Sequence, residues 1–135
     1  MKKDYLCPEC ERTLNVNGSI TFIAEKQNNE RGIIFLSTKV GDYSVKKNDS
    51  FPIEEGERLD FYCPLCNADL KAAEIDRNLA RVIRKDKSSG ETDEVIFSEI
   101  SGQHSTYIIN DDDEVKTFGE DNDRYMNFFG EGSNL

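Results

Sequence analysis

The sequence repeats one short motif, at Cys7-Pro8-Glu9-Cys10 and at Cys63-Pro64-Leu65-Cys66. These two stretches hold all four cysteines of the chain, and each continues to a leucine in the pattern C-P-x-C-x-x-x-L. An aromatic residue precedes each copy, Tyr5 two positions before the first and Tyr62 immediately before the second. A duplication of this length is not expected by chance, so both copies should serve the same purpose.

The spacing of the cysteines is that of a metal ligand pair. Two intervening residues allow a tight turn, which brings both thiolates to neighbouring corners of a tetrahedron about 2.3 Å from a metal ion. Proline fixes one backbone torsion and favours such a turn, and backbone N–H groups beyond it can donate to the sulfurs. Two turns supply four ligands and close the shell, as in structural zinc sites. We therefore predict one Zn²⁺ ion held by Cys7, Cys10, Cys63 and Cys66.

The four cysteines have three alternative roles. Structural disulfides are disfavoured in a reducing compartment, and the first residues of the chain contain no apolar signal segment. A thioredoxin-like redox role needs one reactive pair at a helix N-terminus, which two matching pairs do not suit. Iron is an alternative to zinc, because both metals accept four thiolates.

The two motifs resemble the knuckles of zinc-ribbon and rubredoxin-like proteins. This resemblance implies turns at the tips of β-hairpins and covers only the two eight-residue knuckles and the strands that lead into them. Two features depart from the pattern. Rubredoxins typically place glycine after the knuckle cysteines, where this chain has Glu11 and Asn67, and this difference weakens the iron interpretation. Fifty-two residues also separate Cys10 from Cys63, so an inserted hairpin region is expected at about residues 15–58.

Seven further stretches alternate or concentrate apolar, β-branched and aromatic side chains, as strands do. They are residues 19–25, 33–36, 40–45, 59–62, 79–84, 95–100 and 105–109. The last three predict a β-meander, whereas residues 72–80 have a helix-favouring composition without a cap or an apolar stripe. We therefore predict a mainly β fold of small antiparallel sheets, a zinc-ribbon-like core plus the meander, joined at one four-cysteine metal site.

The composition limits the size of the core. The chain has 135 residues, of which 36% are hydrophobic and 33% are charged. A metal is expected to substitute for part of the missing core. We predict one domain over residues 1–109 and an acidic C-terminal tail with an aromatic segment over residues 110–135. No apolar run is long enough to span a membrane, so we expect a cytoplasmic protein with no membrane partner.

The charge is concentrated at the C-terminal end. Residues 1–90 carry equal numbers of basic and acidic side chains, and residues 91–135 contribute the whole net charge of −10. Acidic stretches of this kind are often solvated tails, but they also dock basic partners. A third possibility is that the tail covers a basic patch of this chain or of a dimer mate; the candidate residues are Arg77, Arg81, Arg84 and Lys85.

Three aromatic residues interrupt the acidic end, at Tyr125, Phe128 and Phe129. Aromatic side chains near a terminus often pack back on the body of a protein. They can also form a short linear motif that binds in the groove of a partner, with the acidic residues steering the encounter. We retain them as candidate partner-binding residues.

These observations favour a non-enzymatic structural-zinc protein that acts as a protein-interaction module or adaptor. The partner is expected to be another protein, and a basic protein would suit the acidic end. The alternatives are a nucleic-acid-associated zinc ribbon of transcription or translation type, which the net charge disfavours, and a rubredoxin-like iron electron carrier. The single histidine, His104, is not needed as a metal ligand, and no motif for nucleophilic or phosphate chemistry is present in the sequence.

Overall fold

A computed structural model describes residues 3–39, 42–110, 112 and 114–119, and these residues form ten strands and no helix. The strands are β1 (Lys3–Leu6), β2 (Asn15–Val16), β3 (Ser19–Glu25), β4 (Arg31–Ser37), β5 (Val45–Lys47), β6 (Asp60–Tyr62), β7 (Leu79–Asp86), β8 (Thr92–Ser98), β9 (Thr106–Ile109) and β10 (Val115–Phe118).

The strands form two five-stranded antiparallel sheets. The first sheet has the order β1-β7-β8-β9-β10. The second has the order β2-β3-β4-β5, and β6 pairs with the other end of β3. The predicted mainly β fold of small antiparallel sheets is confirmed.

The main core lies between the sheets, because alternate side chains of each strand point inward. From the second sheet Phe22 and Ala24 are fully buried, and from the first Val82 and Val95 join the same apolar cluster. A smaller apolar cluster covers the opposite face of the first sheet. Its buried members are Ala72, Leu79, Ile96 and Tyr107.

The two halves of the chain repeat one arrangement. In each half a short strand, β1 or β6, leads into a cysteine turn, and a three-stranded meander follows, β3-β4-β5 or β7-β8-β9. The first strands are exchanged, because β1 pairs with β7 of the second half and β6 pairs with β3 of the first half. The register is equivalent, since Leu6 lies opposite Ile83 and Tyr62 lies opposite Ile23. The region predicted as an insertion, about 15–58, thus holds the same strand pattern as the region after the second cysteine turn.

Three local expectations differ from the structure. The strand expected at 40–45 is β5 at Val45–Lys47, and residues 42–44 lie outside any strand. Residues 73–75 and 77–78 form turns, and β7 begins at Leu79, so the helix-favouring composition there does not produce a helix. The strand β10 lies inside the range predicted as tail, and the first sheet therefore continues beyond residue 109.

A buried carboxylate, Glu99, connects the second cysteine turn to the end of β8. Its side chain is fully buried, and Lys71 Nζ donates to Oε1 at 2.6 Å. The backbone N–H of Phe61, in β6, donates to Oε2 at 3.4 Å. Burial raises the pKa of Glu99 to about 7, against the opposing effect of the Lys71 ammonium group. This group therefore fixes β6 and the segment after the turn relative to the first sheet.

Replacing Glu99 by glutamine should change how stability depends on pH. The pKa of Glu99 is raised from its ordinary 4.5 to about 7, so the folded protein binds this proton more tightly than the unfolded chain. The native protein should therefore lose stability, relative to Glu99→Gln, as the pH rises through this window, by up to about 3 kcal/mol. Urea unfolding of both proteins between pH 5 and 8 measures the difference. Parallel pH profiles would show that Glu99 does not titrate in this window.

Candidate metal centre

The two cysteine turns have matching backbone hydrogen bonds. In the first, the N–H of Cys7 donates to the carbonyl of Arg12 at 3.1 Å, and the N–H of Glu11 donates to the carbonyl of Cys7 at 2.8 Å. In the second, the N–H of Cys63 donates to the carbonyl of Ala68 at 3.0 Å, and Asn67 donates to Cys63 at 2.8 Å. Both motifs are therefore tight turns at the tips of hairpins, as the repeated motif predicts.

Backbone N–H groups also point at the first sulfur of each pair. Glu9 and Cys10 donate to Cys7 Sγ at 3.3 and 3.5 Å. Leu65 and Cys66 donate to Cys63 Sγ at 3.3 and 3.4 Å. Such donors stabilise the negative charge of a ligating thiolate.

The four sulfurs form one cluster. All four Sγ atoms lie within 4.8 Å of one another, and the cysteines are free thiols rather than disulfides. Cys7 Sγ lies 3.7 Å from Cys66 Sγ, and Cys10 Sγ lies 3.8 Å from Cys63 Sγ. A tetrahedron with metal–sulfur bonds of about 2.3 Å has edges of about 3.8 Å. The donor set and its spacing therefore fit one tetrahedral metal ion, with ligands from both halves of the chain.

The burial of the ligands differs within each turn. Cys7 and Cys63 are fully buried, whereas Cys10 is half-buried and Cys66 is exposed. Burial raises the pKa of the Cys7 thiol to about 12, while hydrogen bonding from the backbone N–H of Arg12, assisted by its side chain, lowers the pKa of Cys10 to about 7. A metal ion bound here displaces both protons, because the thiolate is the ligand.

The segment after each turn connects the two sheets to the centre. The N–H of Leu14 donates to the carbonyl of Tyr5 at 2.6 Å, and the carbonyl of Leu14 accepts from Thr21 at 2.9 Å. Leu70 makes the equivalent bonds to Phe61 and Arg81, at 2.9 and 2.8 Å. Both leucines are buried in the main core. The repeated leucine of the motif thus anchors each return segment between two strands.

Sequence reasoning missed the side chains that follow these leucines. Asn15 Oδ1 accepts from the N–H of Tyr5 at 2.8 Å, and Asn15 Nδ2 donates to the carbonyl of Lys3 at 3.2 Å. At the equivalent position Lys71 Nζ contacts Asp60 Oδ1 at 3.1 Å, in addition to Glu99. Both side chains hold the lead-in strand of their own turn, but one is an amide and the other an ammonium group. Only their shared place after the motif could have indicated them.

The structure separates the predicted basic residues. Arg81 and Arg84 lie three positions apart in β7, so their side chains point to opposite faces of the first sheet. Arg81 pairs with Glu74 and Glu94, and Arg84 makes two hydrogen bonds to Asp93, at 3.0 and 2.9 Å.

The other residues that the sequence singled out lie apart from the ion pairs of Arg81 and Arg84. Arg77 and Lys85 are exposed, and Lys85 shares the face of Arg81. The candidate partner-binding residues Tyr125, Phe128 and Phe129 lie outside the described residues. His104 does not join the cysteine cluster; its ring stacks on Tyr43 with the centroids 4.4 Å apart.

Comparison with family models, with curated proteins and with solved structures found no match to this chain. The evidence for a metal site therefore comes from its own geometry. In the part of the chain that the structure describes, no helix is long and apolar enough to cross a membrane.

The residue after each second cysteine has a left-handed backbone, with φ of 61° at Glu11 and 65° at Asn67. These are the positions where the rubredoxin knuckles that the motif resembles typically carry glycine. Asn67 has a compensating contact, because its Oδ1 accepts from Arg31 Nη2 at 3.1 Å. Asparagine also tolerates this conformation better than most residues.

Replacing Glu11 by glycine should stabilise the metal-bound protein by roughly 0.5–1 kcal/mol. Glycine removes the strain of the left-handed backbone, and its greater loss of entropy offsets only part of that gain. Chemical unfolding at saturating metal measures the change. The matched control is Glu9→Gly in the same turn, where φ is not positive and glycine should destabilise. Equal effects at the two positions would contradict the strain argument.

Proposed function

We propose that this chain is a zinc-stabilised protein-interaction module without enzymatic activity. The cluster of four sulfurs, contributed in equal pairs by the two halves, is the observation that carries the proposal. A shell of four protein thiolates leaves no open position for a substrate or an activated water, which favours a structural metal over a catalytic one.

Zinc is the proposed metal, and the cytoplasm is the proposed location. Tetrahedral sulfur sites hold zinc or iron. Zinc is favoured here because Glu11 and Asn67 depart from the glycine-rich knuckles of the iron carriers. Four free thiols that must stay reduced to bind the metal suit a reducing compartment.

The outer face of the second sheet supports the interaction role. Tyr62, Ile23 and Ile33 lie side by side across three strands of this sheet. Each of them alternates with buried neighbours in its strand, such as Phe22, Ala24 and Phe61, and so points away from the main core. Ile33 is 55% exposed. An apolar row on an outer sheet face is a feature of interaction surfaces.

The surroundings of this row favour a protein partner. Arg31 lies over the ring of Tyr62 at 4.7 Å, so a cation and an aromatic ring border the apolar residues. Leu65, at the tip of the second cysteine turn, is 50% exposed. Tyrosine and arginine beside apolar residues are typical of protein interfaces. We call Tyr62, Ile23, Ile33 and Arg31 the outer row.

A basic protein suits this module better than a nucleic acid. The net charge of −10 repels phosphates, and the acidic C-terminal end would steer a basic partner toward the surface. In the predicted basic patch, Arg81 and Arg84 are already paired with carboxylates. Tyr125, Phe128 and Phe129 remain candidate second anchors on such a partner.

Replacing Ile33 by aspartate should abolish partner capture without affecting the metal. The side chain is exposed, so the fold should tolerate the change, while a charge in the middle of an apolar contact is costly. Capture from a native lysate, quantified by mass spectrometry, compares the native chain with Ile33→Asp. Ser88→Asp, in the exposed turn after β7, is the matched control. Unchanged capture by Ile33→Asp would contradict a role for the outer row.

A further inference from the structure

A cavity of about 230 Å³ lies between the two sheets, apart from the cysteine cluster. Its walls come from both sheets and from the loops at one end of the sandwich, and none of the four cysteines lines it. The apolar residues that define it are Tyr5, Phe22, Ile34, Phe61, Val82 and Phe97. It is therefore a second potential site, in the core rather than at the metal.

The cavity has an aromatic wall. The rings of Phe22, Phe61 and Phe97 contact one another, with centroid distances of 5.2, 5.7 and 5.4 Å and with tilted or edge-on geometry. Aromatic rings in such arrangements favour a further ring placed edge-on or offset against them. The wall thus suits a planar aromatic molecule better than a branched aliphatic one.

The mouth of the cavity is polar and ordered by side chains. Tyr43 stacks on His104 at 4.4 Å, and its hydroxyl lies 2.8 Å from the hydroxyl of Thr106. All three residues line the cavity, as does the exposed Ser44. An apolar interior with a few polar groups at its entrance is the usual form of a small-molecule site.

We propose that this cavity binds a neutral aromatic molecule of one or two rings. An apolar cavity of about 150 Å³ is large enough for benzene, so this one has room for a somewhat larger molecule. Lys39 and Asp42 are exposed at the loop end, and Glu99, the buried carboxylate on the lining, is paired with Lys71. The aromatic wall itself carries no charge, which favours a neutral ligand. The site is independent of the partner surface, because Ile34 faces the cavity and the adjacent Ile33 faces solvent.

The aromatic C-terminal end of the chain itself is an alternative occupant of the cavity, and the experiment must distinguish it from a bound small molecule. Gly119 has a φ of 99°, and a Cβ atom there would overlap the carbonyl oxygen of His104 and the hydroxyl of Tyr43. The chain therefore passes the mouth of the cavity sixteen residues before its end. In the sequence, Tyr125, Phe128 and Phe129 follow this glycine.

Titration of the metal-loaded full chain with 2-naphthol tests the proposal. Calorimetry and ligand-observed NMR measure the binding. We expect one saturable site with a dissociation constant on the order of 0.1 mM. Ile34→Phe should fill the cavity and weaken binding at least tenfold, whereas Ile33→Phe, the same change on the outer face, should leave it unchanged. Ser44→Trp at the exposed mouth provides a second block if Ile34→Phe does not fold.

Three results would overturn the proposal. The first is that neither the native chain nor a Phe128→Ala/Phe129→Ala double variant shows saturable binding. The second is binding to that variant alone, which would identify the aromatic end of the chain as the occupant. The third is binding that neither Ile34→Phe nor Ser44→Trp weakens, which would place the ligand elsewhere.

Discussion

The four cysteine sulfurs must meet at one point, and this requirement determines how the rest of the chain is arranged. Each half contributes one turn, and each turn sits between a strand of one sheet and a strand of the other. Cys7 and Cys10 follow β1, which belongs to the first sheet, while Cys63 and Cys66 follow β6, which belongs to the second. A metal ion at the cluster would therefore hold the sheets together as well as the turns. This is an effective arrangement for a chain with few apolar residues, because metal binding then contributes directly to the free energy of folding.

The exchange of first strands makes the two halves depend on each other. Neither half contains the partner of its own lead-in strand, because β1 pairs in the second half and β6 in the first. The connection between the halves is also packed, since the Phe51 ring lies where a Cβ atom of Gly32 would be. A glycine is needed there for packing rather than for its torsion angles. The result is one interlocked unit, with the outer row on its surface and the cavity in its interior.

Much of this arrangement could be predicted from the sequence, and the reasons are local. The C-P-x-C spacing predicts the cluster of four cysteines. Period-two alternation predicts β3, since Ile20, Phe22 and Ala24 are apolar and inward-facing. The same alternation separates Arg81 from Arg84 once both are placed in one strand.

The remaining features depend on distant parts of the chain. The pairing of Leu6 with Ile83 joins residues whose partnership no local pattern encodes. Glu99 lies in the acidic third and resembles a surface residue, but it is buried because Lys71 reaches it from the second cysteine turn. The strand β10 is also difficult to predict from the sequence. Its short alternation, with Val115 and Thr117 on one face, follows a run of acidic residues that is typical of a tail.

X-ray absorption spectroscopy of the purified full chain, with elemental analysis, tests the central claim most directly. The account predicts one zinc ion per chain, coordinated by four sulfurs at about 2.3 Å, with cooperative unfolding when the ion is chelated. A Cys63→Ser variant should lose both the ion and the native unfolding transition. Metal-free protein with an unchanged unfolding transition, or a coordination shell of nitrogen and oxygen, would contradict it.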